Sequence, residues 1–224
     1  MKSFRLLLLL TLSTGFARAQ TKPTSLVNPF IGTGGHGHTY PGASMPFGMI
    51  QLSPDTRLEG WDGCSGYHYS DSLIYGFSQT HLSGTGIPDY CDVLLMPFTG
   101  EVKWNNKEYA SSFSHWEEKA SPGYYEVVLR KHNIKTTVTA SYRSGIYQYT
   151  YDTSAKEGKI LLDLQHRDEV LESYVEVINP FEVKGMRRSK SWAQNQVVYF
   201  YLKFDQPIKN YGLANNDELL KLKD

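Results

Sequence analysis

From residue 123 onward the chain is written in alternation, and no other feature narrows its fold as far. In IKTTVTA, Ile134, Thr136, Val138 and Ala140 fall on one face, and Lys135, Thr137 and Thr139 on the other. A period of two with β-branched and aromatic enrichment belongs to a strand that lays one face on a core. The stretch YYEVVLRK precedes it, with His132 and Asn133 as turn residues between, and GIYQYTY, KILLDL and VVYFYLKF follow. Strands repeated at such short spacing predict an all-β chain, an antiparallel β-sandwich, with no amphipathic helix after the leader. After Phe204 the chain passes through DQPIKNYGLANND to ELLKLKD without an evident closing strand. A sandwich strand left without its partner is an exposed edge that proteins usually cover. The chain is therefore expected to be part of something longer, with its last strands absent.

The N-terminus reads differently. Lys2 and Arg5 precede an apolar run from Leu6 to Leu12, and Ala17, Arg18 and Ala19 offer a small-x-small cleavage site. This is a secretory signal peptide, residues 1–19, and it predicts export to the periplasm or the extracellular space. Its apolar run is far short of the roughly 20 residues a membrane span needs, so no membrane association is expected. Lys plus Arg and Asp plus Glu both number 23, which leaves no long-range field to attract nucleic acid or another polyanion. Cys64 and Cys91 lie in an exported chain, where they form either a disulfide or two small buried thiols.

Chemistry concentrates in residues 27–97, where Gly, Pro, His and Ser crowd around apolar runs as brief as FGMIQL and DVLLMPF. Long structured loops between short strands fit this texture. GTGGHGHTYPG sets His36 and His38 on a glycine-rich loop; they either share a metal or hydrogen-bond loop carbonyls. SPDTR carries Asp55 and Arg57, which either pair with each other or leave Arg57 to donate to the hydroxyls of a polyol. In GWDGCSGYHYSD, residues 60–71, Trp61 is a platform for a sugar face with Asp62 as acceptor, or else a filler beneath a long loop. HLSGTGIPDYCD adds His81, Ser83, Asp89 and Asp92. Hydroxyl-directed acceptors and donors around an aromatic suit carbohydrate, and no phosphate-cradling glycine signature accompanies them.

The strings NPFIGTGGHGHTYPGA, MPFGMIQLSPDT, GWDGCSGYHYSD and GFSQTHLSGTG, followed by Asp89, Asp92 and LLMP, resemble the N-terminal domain of glycoside hydrolase family 92. Two positions depart from that pattern. Gln79 stands where the family string has a histidine, and Cys91 where a glycine is usual. The resemblance implies that residues 25–224 form the N-terminal β-sandwich domain of an exo-acting, inverting, calcium-dependent α-mannosidase that cleaves terminal α-mannosyl linkages of glycans. It implies a helical (α/α)6 catalytic domain in cis that holds the general acid, the general base and most of the calcium shell; that domain is absent here. No catalytic residue and no calcium ligand is then assigned to this chain, which alone is expected to be inactive. The resemblance further implies that Arg57, Trp61, Asp62, Cys64, His81 and Asp89 bind substrate as one wall of the mannose pocket. The alternative left open is a non-catalytic carbohydrate-binding fragment.

Overall fold

A computed structural model describes residues 22–215 and the backbone of residues 218–223. The signal peptide, residues 1–19, lies outside the described residues. The strand Ile134–Ala140 realises its alternation: Ile134, Thr136 and Val138 are buried while Lys135 and Thr139 are exposed. It pairs with Tyr124–Leu129 on one side and Gly145–Thr150 on the other, and Lys119–Ser121 completes this four-stranded sheet. Against it stands a five-stranded sheet whose order is Ala43–Ser44, Gln51–Asp55, Gly76–Ser78, Leu94–Phe98 and Lys159–Asp163. Every pairing among the described residues is antiparallel.

The core joins the inner faces of these two sheets, which makes the fold an all-β sandwich. Leu52, Phe77, Leu94 and Met96 come from one sheet, and Tyr125, Val127, Ile134 and Val138 from the other. The five strands of the first sheet are short because loops rich in glycine and proline interrupt them, and those loops carry the chemistry.

Two features depart from the sequence reading. Glu169–Asn179, Glu182–Lys190 and Gln196–Lys203 form a third sheet, of which only the last strand is legible as an alternating run. Beyond Phe204, Tyr211–Asn215 and Glu218–Lys223 pair with each other in a separate two-stranded sheet that the sequence reading did not see. Among the described residues helix is limited to single turns, one of them Asn106–Tyr109, where the Asn105 side chain caps the Lys107 amide at 3.0 Å. No helix among the described residues is long and apolar enough to cross a membrane.

Candidate functional site

Trp61 sits on a 3-10 turn, Trp61–Gly63, that opens after Gly60 at φ +80°. The turn pushes the indole outward, so Trp61 is 57% exposed despite its size. Its position is nonetheless fixed. The His38 ring meets it edge-on with centroids 4.3 Å apart, His36 lies at 5.1 Å, and a Cβ on Gly86 would fall 2.7 Å from the indole Nε1. Trp61 is therefore a braced aromatic at the surface rather than a filler beneath a loop.

Asp62 shares the turn and is oriented by the same two histidines. Its Oδ1 accepts from His36 Nδ1 at 2.6 Å and lies 3.5 Å from His38 Nε2. The His36 hydrogen bond comes first among the influences that hold the Asp62 carboxyl below the usual range. His38 Nδ1 donates to the Thr85 carbonyl at 2.7 Å, which fixes its ring. His36 and His38 thus position Asp62 and flank Trp61.

Arg57 pairs with neither Asp55 nor open solvent. Its Nε and Nη2 donate to the two carboxylate oxygens of Asp71 at 3.2 and 2.5 Å, and Nη2 also reaches Ser70 Oγ at 3.1 Å. The stem of Arg57 packs where a Cβ on Gly63 would come within 2.9 Å of it. Arg57 and Asp71 therefore clamp the stretch 60–71 at both ends around Trp61.

The other three expected substrate residues lie below the surface. Cys64, His81 and Asp89 are 0%, 3% and 4% exposed. Cys64 turns inward because the turn directs its thiol to the Trp61 carbonyl, to which it donates at 2.6 Å. Cys64 and Cys91 are both free thiols, so the disulfide is not formed. Asp89 accepts from the Ala193 amide at 3.0 Å and borders a cleft of about 410 Å³ that Trp192, Thr85 and Gln196 also line. Thr85 joins that cleft to His38, so it adjoins the Trp61 surface.

His81 is the centre of the buried layer. Its Nδ1 donates to the Gln51 carbonyl at 2.8 Å and its Nε2 to Asp55 Oδ1 at 3.0 Å. Burial opposes the charged imidazolium, but the Cys91 sulfur and the Asp55 carboxylate beside it outweigh this and push His81 up to about 10. Burial works to raise the Asp55 carboxyl, but the combined pull of His81, His166 and Ser78 leaves it lowered. Asp168 behaves oppositely: burial raises its carboxyl to about 6 against the pull of Arg187 and Arg167, and its Oδ2 is enclosed without a partner. Sequence reasoning passed over Asp71, His166, Arg167 and Arg187. No local signal marks them, because each acts through partners more than a dozen residues away.

Residues 26–224 match the glycosyl hydrolase family 92 N-terminal domain. The chain belongs to this family. Among solved structures, it is similar to a family 92 α-mannosidase from Bacteroides thetaiotaomicron determined in complex with mannoimidazole, with 38% identity and a TM-score of 0.82. A family 92 inverting mannosidase from the same organism gives 32% identity and a TM-score of 0.75. Each match covers 88% of this chain but 27% of the solved one, so the chain spans about a quarter of those enzymes. An uncharacterized secreted glycosidase of Arthroderma benhamiae is 29% identical over 150 residues, which are 62% of this chain and 19% of that protein.

The residues that could hold a metal do not fit the calcium that the resemblance implies. Among the described residues the one cluster of three or more metal-capable side chains is Asp55, His81 and Cys91. Nitrogen and sulfur do not suit a hard cation that takes six to eight oxygens.

Proposed function

We propose that this family 92 domain is one wall of the mannose pocket of an exo-acting, inverting α-mannosidase, exported to the periplasm or beyond the cell, that hydrolyses terminal α-mannosyl linkages of glycans. The observation that carries the reading is the braced, exposed indole of Trp61 beside an oriented Asp62. An aromatic face stacks on the C–H face of a pyranose, and a carboxylate held ionised accepts from its hydroxyls. Arg57, through Asp71, holds the turn that presents both. Asp89 and Trp192 extend the wall along the adjoining cleft, while Cys64 and His81 support it from beneath.

The reaction itself belongs elsewhere in the enzyme. Inversion needs an acid and a base roughly 6.5–9.5 Å apart on opposite sides of the bond, and the acid needs a raised pKa. Near Trp61 the carboxyls have other tasks: Asp62 and Asp55 are lowered by histidines, and Asp71 is clamped to Arg57. Asp168 is raised, but enclosed. The resemblance to family 92 places the catalytic pair in a helical domain in cis, which would close over this wall and exclude water from the pocket. Incubating the purified chain with an aryl α-mannoside, with and without calcium, is expected to release no mannose above the uncatalysed rate. Turnover by this chain alone would show that the acid and base lie within it.

A further inference from the structure

Beneath the sugar wall, and independently of it, lies a group of side chains that the mannoside reading does not use. We propose that Asp55, His81, Cys91 and His166 form a closed site for a single zinc ion. The donor atoms of Asp55, His81 and Cys91 all lie within 4.8 Å of one another. His166 Nε2 approaches Asp55 Oδ2 at 3.6 Å, with both side chains buried. Tetrahedral zinc with bonds of about 2.0–2.3 Å sets its ligands roughly 3.3–3.8 Å apart, so Asp55, His81 and Cys91 need only small adjustments to close on an ion, while His166, which stands outside that trio, would have to move in to complete the shell.

The observation that points to a missing ligand is His166. Both of its ring nitrogens are enclosed and neither has a hydrogen-bond partner. Buried polar atoms in native proteins are almost always satisfied, so an orphaned ring nitrogen beside Asp55 calls for an explanation, and a metal supplies it for Nε2.

The surroundings are those of a metal site. His81 donates its Nδ1 proton to the Gln51 carbonyl, which aims Nε2 at the group, and Asp55 Oδ2 accepts from the Ser78 amide at 3.1 Å. Arg167 places Nη1 3.2 Å from Cys91 Sγ and is anchored by Nη2 on the Gly63 carbonyl, which fixes the sulfur's position. Imidazole, thiolate and a single carboxylate select zinc over magnesium or calcium. The ion would tie the strand Gln51–Asp55 to the loop before Leu94 and to the segment that leads into the third sheet.

Cobalt makes the site visible. The full chain refolded with one equivalent of Co2+ is expected to show tetrahedral visible bands and a near-ultraviolet thiolate-to-cobalt band, all bleached by one equivalent of Zn2+. Cys91→Gly is the informative variant, because Cys91 has φ +58°, a conformation glycine adopts without strain. It is expected to fold, as judged by far-UV circular dichroism, yet to lose the thiolate band and more than about 100-fold in cobalt affinity. His166→Ala is expected to keep the thiolate band while binding at least about 10-fold more weakly. Absence of any cobalt spectrum in the wild-type chain would overturn the proposal. So would a thiolate band that persists in Cys91→Gly, since the sulfur would then belong to Cys64.

Discussion

Replacing Arg187 by alanine is expected to destabilise the chain by about 3–5 kcal/mol, because it strands a buried charge. The Arg187 and Asp92 side chains are each 1% exposed and form an ion pair between Arg187 Nη1 and Asp92 Oδ1. The same guanidinium donates to the Leu164 carbonyl at 2.8 Å, to Ser189 Oγ at 2.8 Å and to the Arg167 carbonyl. It thereby pins the strand Glu182–Lys190 to the loop before Leu94 and to the segment that follows Lys159–Asp163. Without it, Asp92 keeps Thr80 and Gln196 as donors but no cation. Neutralising both partners, Arg187→Met with Asp92→Asn, is expected to recover most of the loss, since the penalty lies in the unpaired charge rather than in the pair's net attraction. Urea unfolding of the single and double variants measures this. A loss below about 1 kcal/mol for Arg187→Ala would show that the third sheet is held by other contacts.

Gly66→Ala is expected to cost about 2–5 kcal/mol by a different route. Gly66 has φ +80°, and a Cβ there would stand 2.5 Å from Asp55 Oδ1, 2.8 Å from Cys91 Sγ and 3.0 Å from His81 Cδ2. The left-handed backbone contributes about 1–2 kcal/mol and the overpacking about 1–3. None of the three neighbours is free to retreat, because each is buried and Asp55 and His81 are hydrogen-bonded to backbone groups as well as to each other. Gly123 provides the control: its φ is +76°, but nothing lies within 4 Å of its Cβ position. Gly123→Ala is expected to lose the backbone contribution alone. Equal shifts in the urea midpoint for the two substitutions would mean that the space around Asp55, His81 and Cys91 is looser than its geometry indicates.

How far the sequence could be read depended on whether a signal was local. The alternation in IKTTVTA is local, and the burial of Ile134, Thr136 and Val138 follows it residue by residue. Glu169–Asn179 and Glu182–Lys190 escaped because their exposed faces carry charge at irregular positions and a register shift interrupts the period between Val170 and Glu172. Arg187 in particular reads as a solvated residue and is among the most deeply buried side chains. In GWDGCSGYHYSD residue types alone gave the aromatic and the acceptor, but not which side chains face out. A three-residue turn decides that, sending Trp61 to the surface and Cys64 inward. The Asp55–His81 pair spans 26 residues and joins a strand to a loop, so only the fold reveals it. Family membership, by contrast, was legible at once, because strings as unusual as GTGGHGHTYPG carry their ancestry in their spelling.

On the proposed reading, Trp61 and Asp62 face a mannosyl residue of the substrate. The most direct measurement is a titration of the isotope-labelled chain with α-mannobioside, followed by NMR at the Trp61 indole N–H. A saturable shift is expected, with a dissociation constant of about 1–10 mM, the weak affinity of one wall alone, at about −3 to −4 kcal/mol. Trp61→Ala and Asp62→Ala are each expected to abolish saturable binding while the dispersion of the remaining spectrum is kept. No saturable shift at Trp61, or undiminished binding by the Trp61→Ala chain, would contradict the proposed reading.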